Sequence, residues 1–203
     1  MTKLKFFSMK KISILILLYI VLISFSGCGP QSPDYISGEI LMIEPEPEPD
    51  SDWLYKDGFI SAQFRPFLRV NQKTGFLDGV ALELENYTNE TIEIIWDSAV
   101  FVDIDGSTSG LAGLDGEITY SDMENKIPNT TIAAGTEREI FLVPTDSIYY
   151  DDDREREPIF TVTQNNIKEV DGSRFEVILP MRITEEVREY EFVFESNIYY
   201  WSR

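Results

Sequence analysis

No histidine occurs in this 203-residue chain, cysteine occurs once, and basic residues are scarce: 17 Lys plus Arg stand against 36 Asp plus Glu. Each scarcity excludes chemistry. Without histidine there is no Ser-His-Asp or Cys-His catalysis and no imidazole-ligated metal. One cysteine allows neither an internal disulfide nor a thiolate zinc cluster. A formal charge of -19 opposes nucleic acid, whose phosphates require a basic surface. The length suits one domain with a substantial core.

The first residues carry a different signal. Lys3, Lys5, Lys10 and Lys11 precede an apolar run from Ile12 to Ile23, followed by Ser24-Phe25-Ser26-Gly27-Cys28. A basic head, a short apolar core and small residues before a cut point form a secretory signal. The apolar core is shorter than the roughly 20 residues that span a bilayer, which favours cleavage over a permanent anchor helix.

Phe25-Ser26-Gly27-Cys28 resembles the lipobox of bacterial lipoproteins, with small residues at Ser26 and Gly27 and with Phe25 where an aliphatic residue is usual. The resemblance implies cleavage between Gly27 and Cys28 and diacylation of the Cys28 thiol. Two or three acyl chains hold a protein on a membrane firmly where one holds marginally. Gly29 in place of Asp implies the outer membrane in a cell that has one. The expected location is therefore the cell envelope, facing the periplasm or the exterior.

Removing residues 1–27 removes four lysines and no acid, leaving 13 basic against 36 acidic residues and a formal -23. Such a domain is repelled by anionic headgroups. Residues 28–52 include Pro30, Pro33 and the run Glu44-Pro45-Glu46-Pro47-Glu48-Pro49-Asp50, a composition that favours an extended, disordered tether. Ile40-Leu41-Met42-Ile43 is the apolar exception, suited to a short strand docking on the domain.

From Trp53 to Arg203 the dominant hydrophobic period is two. Val80, Leu82 and Leu84 form one apolar face, and Ile92, Ile94 and Trp96 another. Phe175 to Ile183 and Tyr190 to Phe194 alternate in the same way, with charged residues between. Turn residues separate the runs at Asn86–Glu90, Asp103–Gly106, Ala134–Thr136 and Asp171–Ser173. This patterning predicts an all-β domain, an antiparallel β-sandwich of eight or nine strands. The succession Val80–Thr88, Ile92–Asp97, Asp105-Gly106 and Ile132–Gly135 is similar to immunoglobulin-like domains of secreted bacterial lipoproteins. That resemblance implies a fold and no chemistry.

Several clusters qualify as candidate sites, each beside a plainer reading. Asp103, Asp105, Gly106 and Ser107 form half a calcium loop, but Leu114 stands where the bidentate Glu would fall, so a hairpin turn accounts for them. Asp151, Asp152 and Asp153 form the densest charge cluster, either a solvated loop or a calcium site. Trp53, Tyr55, Tyr199, Tyr200 and Trp201 lie near the domain's ends, either closing the core or offering a stacking platform to a glycan. Asn86, Asn89 and Asn129 begin Asn-x-Thr triplets, which in a bacterial protein mark turns. No nucleophile or acid/base pair stands out. The expectation is a non-catalytic envelope lipoprotein without a cofactor that binds another protein; the alternative is a glycan- or calcium-binding module.

Overall fold

The computed structural model describes residues 35–45, 53–70, 74–114, 127–148 and 158–201, all within the unit Asp34–Ser202. The domain is all-β and antiparallel. Its strands in chain order are β1 (Tyr35–Glu44), β2 (Leu54–Lys56), β3 (Ile60–Val70), β4 (Thr74–Asn86), β5 (Ile92–Ile94) and β6 (Val100–Val102), followed by β7 (Thr108–Leu114), β8 (Thr130–Ile132), β9 (Glu137–Pro144), β10 (Phe160–Thr163), β11 (Arg174–Ile183) and β12 (Glu186–Trp201). The described helical structure is limited to two 3-10 turns, Trp96–Ser98 and Thr145–Ser147, and one turn of α-helix, α1 (Ile167–Val170).

The strands follow the order β1-β12-β11-β6-β7-β9-β4-β3-β2, with β5, β8 and β10 off that path. β7 turns the corner. Its Thr108–Gly110 half pairs with β6, and its Leu111–Leu114 half pairs with β9. The sheet therefore curls until β3 faces β12, where the Phe64 ring meets Phe192 at 4.5 Å and Phe194 at 5.2 Å. Phe194 in turn stacks on Phe175 at 5.0 Å.

Alternation explains which residues fill this interior. Phe175, Val177, Leu179, Met181 and Ile183 of β11 are all buried, as are Val80, Leu82 and Leu84 of β4 and Tyr190, Phe192 and Phe194 of β12. Every second residue of a strand shares a face, and burying these large side chains is the main stabilising contribution. β4 breaks step once. Pro66 opposes Val80 and Leu68 opposes Leu77, so Asp78 and Gly79 together face Phe67 in a bulge. Asp78 is buried there against Arg69, and the Phe141 ring covers Gly79 so closely that a Cβ would overlap it.

Two expectations need adjusting. Twelve strands lie among the described residues, where alternation predicted eight or nine. Ten residues of the span read as tether are strand β1, paired along its length with β12. Ile36, Ile40 and Met42 explain this: all three are buried in the common core. The Glu-Pro run thus connects β1 to β2.

The β11–β12 hairpin carries backbone strain. Ile183 pairs with Glu186 across two residues, and Thr184 sits at φ 60°, a region costly for a β-branched side chain. Thr184→Gly is expected to stabilise the domain by about 1 kcal/mol. This reads as a higher urea midpoint with an unchanged slope; an unchanged midpoint refutes it.

Candidate functional site

A concavity lined by charged and aromatic side chains lies at the β2–β3 turn. Asp57 closes β2, and its Oδ1 accepts the N–H groups of Phe59 at 2.7 Å and Ile60 at 2.8 Å, the local bonding that makes Asp-Gly a turn former. Its Oδ2 accepts the Tyr190 hydroxyl at 3.1 Å and the Tyr55 hydroxyl at 3.4 Å. Tyr55 packs edge-on against Tyr190 and Phe192, and the Arg188 guanidinium lies 3.9 Å over the Phe59 ring. Tyr55, Asp57, Arg188 and Tyr190, with Pro45, Glu189 and Glu191, line an open hollow of about 510 Å³.

Hydrogen bonds and charge tie this hollow together. Burial first, and then the Asp57 carboxylate, push both the Tyr190 and the Tyr55 hydroxyls above the usual phenol range. Both remain protonated at neutral pH and donate to Asp57. The four donors are shared between the two carboxylate oxygens. Asp57 thereby ties the β2–β3 turn to β12, 133 residues away.

The raised Tyr190 hydroxyl has a pH consequence. An unfolded tyrosine ionises near pH 10, while the folded one holds its proton to higher pH. Above about pH 10 the folded state therefore binds more protons than the unfolded state, and stability falls as pH rises. Below that pH the contribution is complete. Tyr190→Phe is expected to cost about 1 kcal/mol at neutral pH and to flatten the alkaline decline. Urea unfolding of both proteins between pH 8 and 11 checks this; parallel alkaline slopes refute it.

The other candidates fall into place as follows. Cys28, Gly27, Asp151, Asp152 and Asp153 lie outside the described residues. Asp103, Asp105, Gly106 and Ser107 form the β6–β7 turn: Gly106 has φ 81°, Asp103 Oδ1 accepts Ile104 N–H at 2.6 Å, and Asp105 Oδ1 accepts Ser107 N–H at 2.8 Å. Burial raises the Asp103 carboxyl, while the bonds from Ser107 lower that of Asp105. Among the described residues no three acidic or cysteine side chains gather as a metal site. Asn86 is fully buried at a turn, whereas Asn89 is exposed.

The terminal aromatics separate. Trp53 and Tyr55 pack against the core, as does Tyr200. Tyr199 is half-exposed on β12 beside the equally exposed Tyr35 on β1. Trp201 continues β12 opposite Tyr35.

β1 is the last strand of the sheet, paired among the described residues only with β12. The direction of its polar groups follows from its neighbour. Ser196 sends its N–H to Ser173 C=O at 3.0 Å and accepts Gly172 N–H at 2.7 Å, both on the side away from β1. Its cross-strand partner Ile40 is therefore in a non-hydrogen-bonded pair, with its own N–H and C=O turned outward. The Trp53 indole N–H occupies that carbonyl at 2.6 Å. Ile198 N–H goes to Asp171 Oδ1 at 2.9 Å, so Gly38 opposite it also faces outward, as does Ile36 by alternation. The sequence marked Ile40 as part of an apolar run but not as an edge, since edge position depends on distant pairings. No family model, no curated protein and no solved structure matches this chain.

Proposed function

We infer that the chain is a membrane-anchored envelope lipoprotein, held by lipid on Cys28, that presents a non-catalytic β-domain to another envelope protein. In this reading the curled antiparallel sheet is an immunoglobulin-like β-sandwich whose strand edges and loops make the contact. The supporting observation is β1, a ten-residue strand that among the described residues pairs with β12 alone. Long edges are normally shortened, covered or paired, because unpaired N–H and C=O groups recruit other chains. The excess of acidic residues favours a basic partner surface.

Cross-linking in intact cells, followed by purification of the lipoprotein and mass spectrometry, tests the reading, with Cys28→Ser as the unlipidated control. One dominant protein, lost in the control, is the expected result. Recovery of wall glycan alone overturns it in favour of a ligand-binding module. Association with the partner is expected to weaken from 0.1 M to 1 M salt, as the screening length falls from about 10 Å to about 3 Å. Binding that is indifferent to salt removes the charge argument.

A further inference from the structure

Resting on the interaction reading above, we propose that β12 from Glu189 to Glu191, where it runs on past the end of β1, is a strand-addition site for a basic, extended segment of another protein. The direction of the backbone groups there is fixed twice over. Ser196 bonds Ser173 and Gly172 on the β11 side, and the β11–β12 register runs without a break. By alternation Glu191 and Glu189 turn their N–H and C=O groups to the other side. Pro180, opposite Glu189, agrees: it has no N–H, and its carbonyl accepts Ile95 N–H on the side away from β12.

β1 fills that other side only in part. Its pairing ends at Glu44, opposite Val193, and Pro45 follows with no N–H to continue the ladder. Val187, Glu189 and Glu191 lie beyond that end. Among the described residues no group bonds their outward N–H and C=O. Glu189 and Glu191 are exposed, and Val187 is 56% exposed. The open hollow lies directly against this stretch, since Glu189, Tyr190, Glu191 and Pro45 form one of its walls.

The side chains around the hollow determine the occupant's chemistry. In antiparallel addition the residues opposite Glu189 and Glu191 share the outer face with them. Neither glutamate joins an ion pair or a side-chain hydrogen bond among the described residues. Arg188, the cation lining the hollow, is committed to Glu186 and the Phe59 ring. Lysine or arginine at both positions therefore meets carboxylates with no competing partner. The residue between them lies opposite Tyr190 on the inner face, where an apolar side chain can pack against Tyr55. The Tyr55 and Tyr190 hydroxyls are already tied to Asp57, so this wall is in place before the segment arrives. A second copy of the chain is a poor occupant. Pairing two β12 edges about Tyr190 sets Glu189 of each copy against Glu191 of the other and joins two chains of formal -19.

The test uses the full chain and a short synthetic peptide of alternating lysine and valine. Its control is the same peptide N-methylated at every backbone amide, which keeps the charge but donates no backbone hydrogen bond. In the free chain the Glu189 and Glu191 amides are expected to exchange fast and those of Tyr190 and Phe192 slowly. The peptide is expected to slow Glu189 and Glu191 and to leave Tyr190 unchanged, a protection pattern with a period of two. It is also expected to bind at least about tenfold more tightly than the control. Glu191→Lys is expected to weaken binding several-fold, and Glu169→Lys, with the same change of charge, to have little effect. Glu169 is exposed on α1, which reaches β12 at Ser196, roughly 17 Å along the strand from Glu191 at about 3.4 Å per residue.

Glu189 and Glu191 amides already slow in the free chain overturn the site. Equal binding of the two peptides, or equal loss in the two variants, overturns it in favour of simple charge attraction. Protection that grows with the concentration of the chain alone overturns it in favour of a second copy. The cellular cross-linking experiment reads separately. A partner captured equally by the parent and by Glu191→Lys removes this site and leaves the interaction reading. Capture of no protein by the parent removes both.

Discussion

Phe194→Ala is expected to lower the unfolding free energy by about 4 kcal/mol. Phe194 is fully buried and lies between the two sides of the curl, in contact with Phe64 of β3 and stacked on Phe175 of β11. Truncation removes the ring's transfer free energy and leaves a cavity bounded by two rings from different strands, neither of which can relax without disturbing its own ladder. Phe194→Leu, closer in volume, is expected to cost less than about 1.5 kcal/mol. Urea unfolding measures both. A loss below about 1.5 kcal/mol for the alanine variant contradicts the role assigned to this ring.

Asn86→Ala is expected to cost about 3 kcal/mol by a different mechanism. Asn86 is completely buried at the end of β4, and its amide nitrogen donates to Glu90 C=O at 2.7 Å, Ile132 C=O at 3.0 Å and Ala133 C=O at 3.2 Å. Its Oδ1 accepts Thr88 N–H at 2.8 Å, and its backbone bonds Thr136 and Gly135. One side chain thus joins the β4–β5 turn to the β8–β9 turn. Removing it takes a donor from the buried Ile132 carbonyl and an acceptor from the Thr88 N–H, each costing roughly 1–3 kcal/mol when left without a partner, while the Glu90 and Ala133 carbonyls keep bonds from Thr88 and Thr136. Asn86→Asp separates hydrogen bonding from volume. At neutral pH a carboxylate in the same space faces three carbonyl oxygens, so this variant should be at least as unstable as the alanine one and should recover partly in acid. An aspartate variant as stable as the parent would show that shape, and not donation, matters at this position.

How much of this was legible depends on how local each signal is. The strands β4, β11 and β12 were readable because their buried faces repeat every second residue, and the same residues fill the core. The turns at Asn86, Asp103, Gly135 and Gly172 were readable from their turn-forming residues, with Gly135 at φ 65° and Gly172 at φ 73°. β1 was only half-readable: its apolar residues were visible, but proline and glutamate on its C-terminal side gave the whole span the composition of a linker. The Asp57 clamp was not readable at all. Asp57-Gly58 signals a turn, but nothing near it indicates that Tyr190 will arrive from a strand far along the chain. The bulge at Asp78 and Gly79 escaped for a related reason, since a register shift belongs to two strands and is written in neither alone.

The position of β1 also sets a short leash. Between Cys28 and Tyr35 the chain can reach at most about 25 Å, against about 80 Å had the whole span to Asp52 been free. On the proposed lipidation of Cys28, the start of the first strand stays within about 25 Å of the bilayer surface. The mooring line also attaches to one end of one particular strand. On the same proposal, the Tyr35 end is the part of the domain tied nearest the lipid, and repulsion between acidic residues and anionic headgroups favours the bulk of the domain turning away. On that proposal, a partner that recognises this end meets it close to the membrane surface.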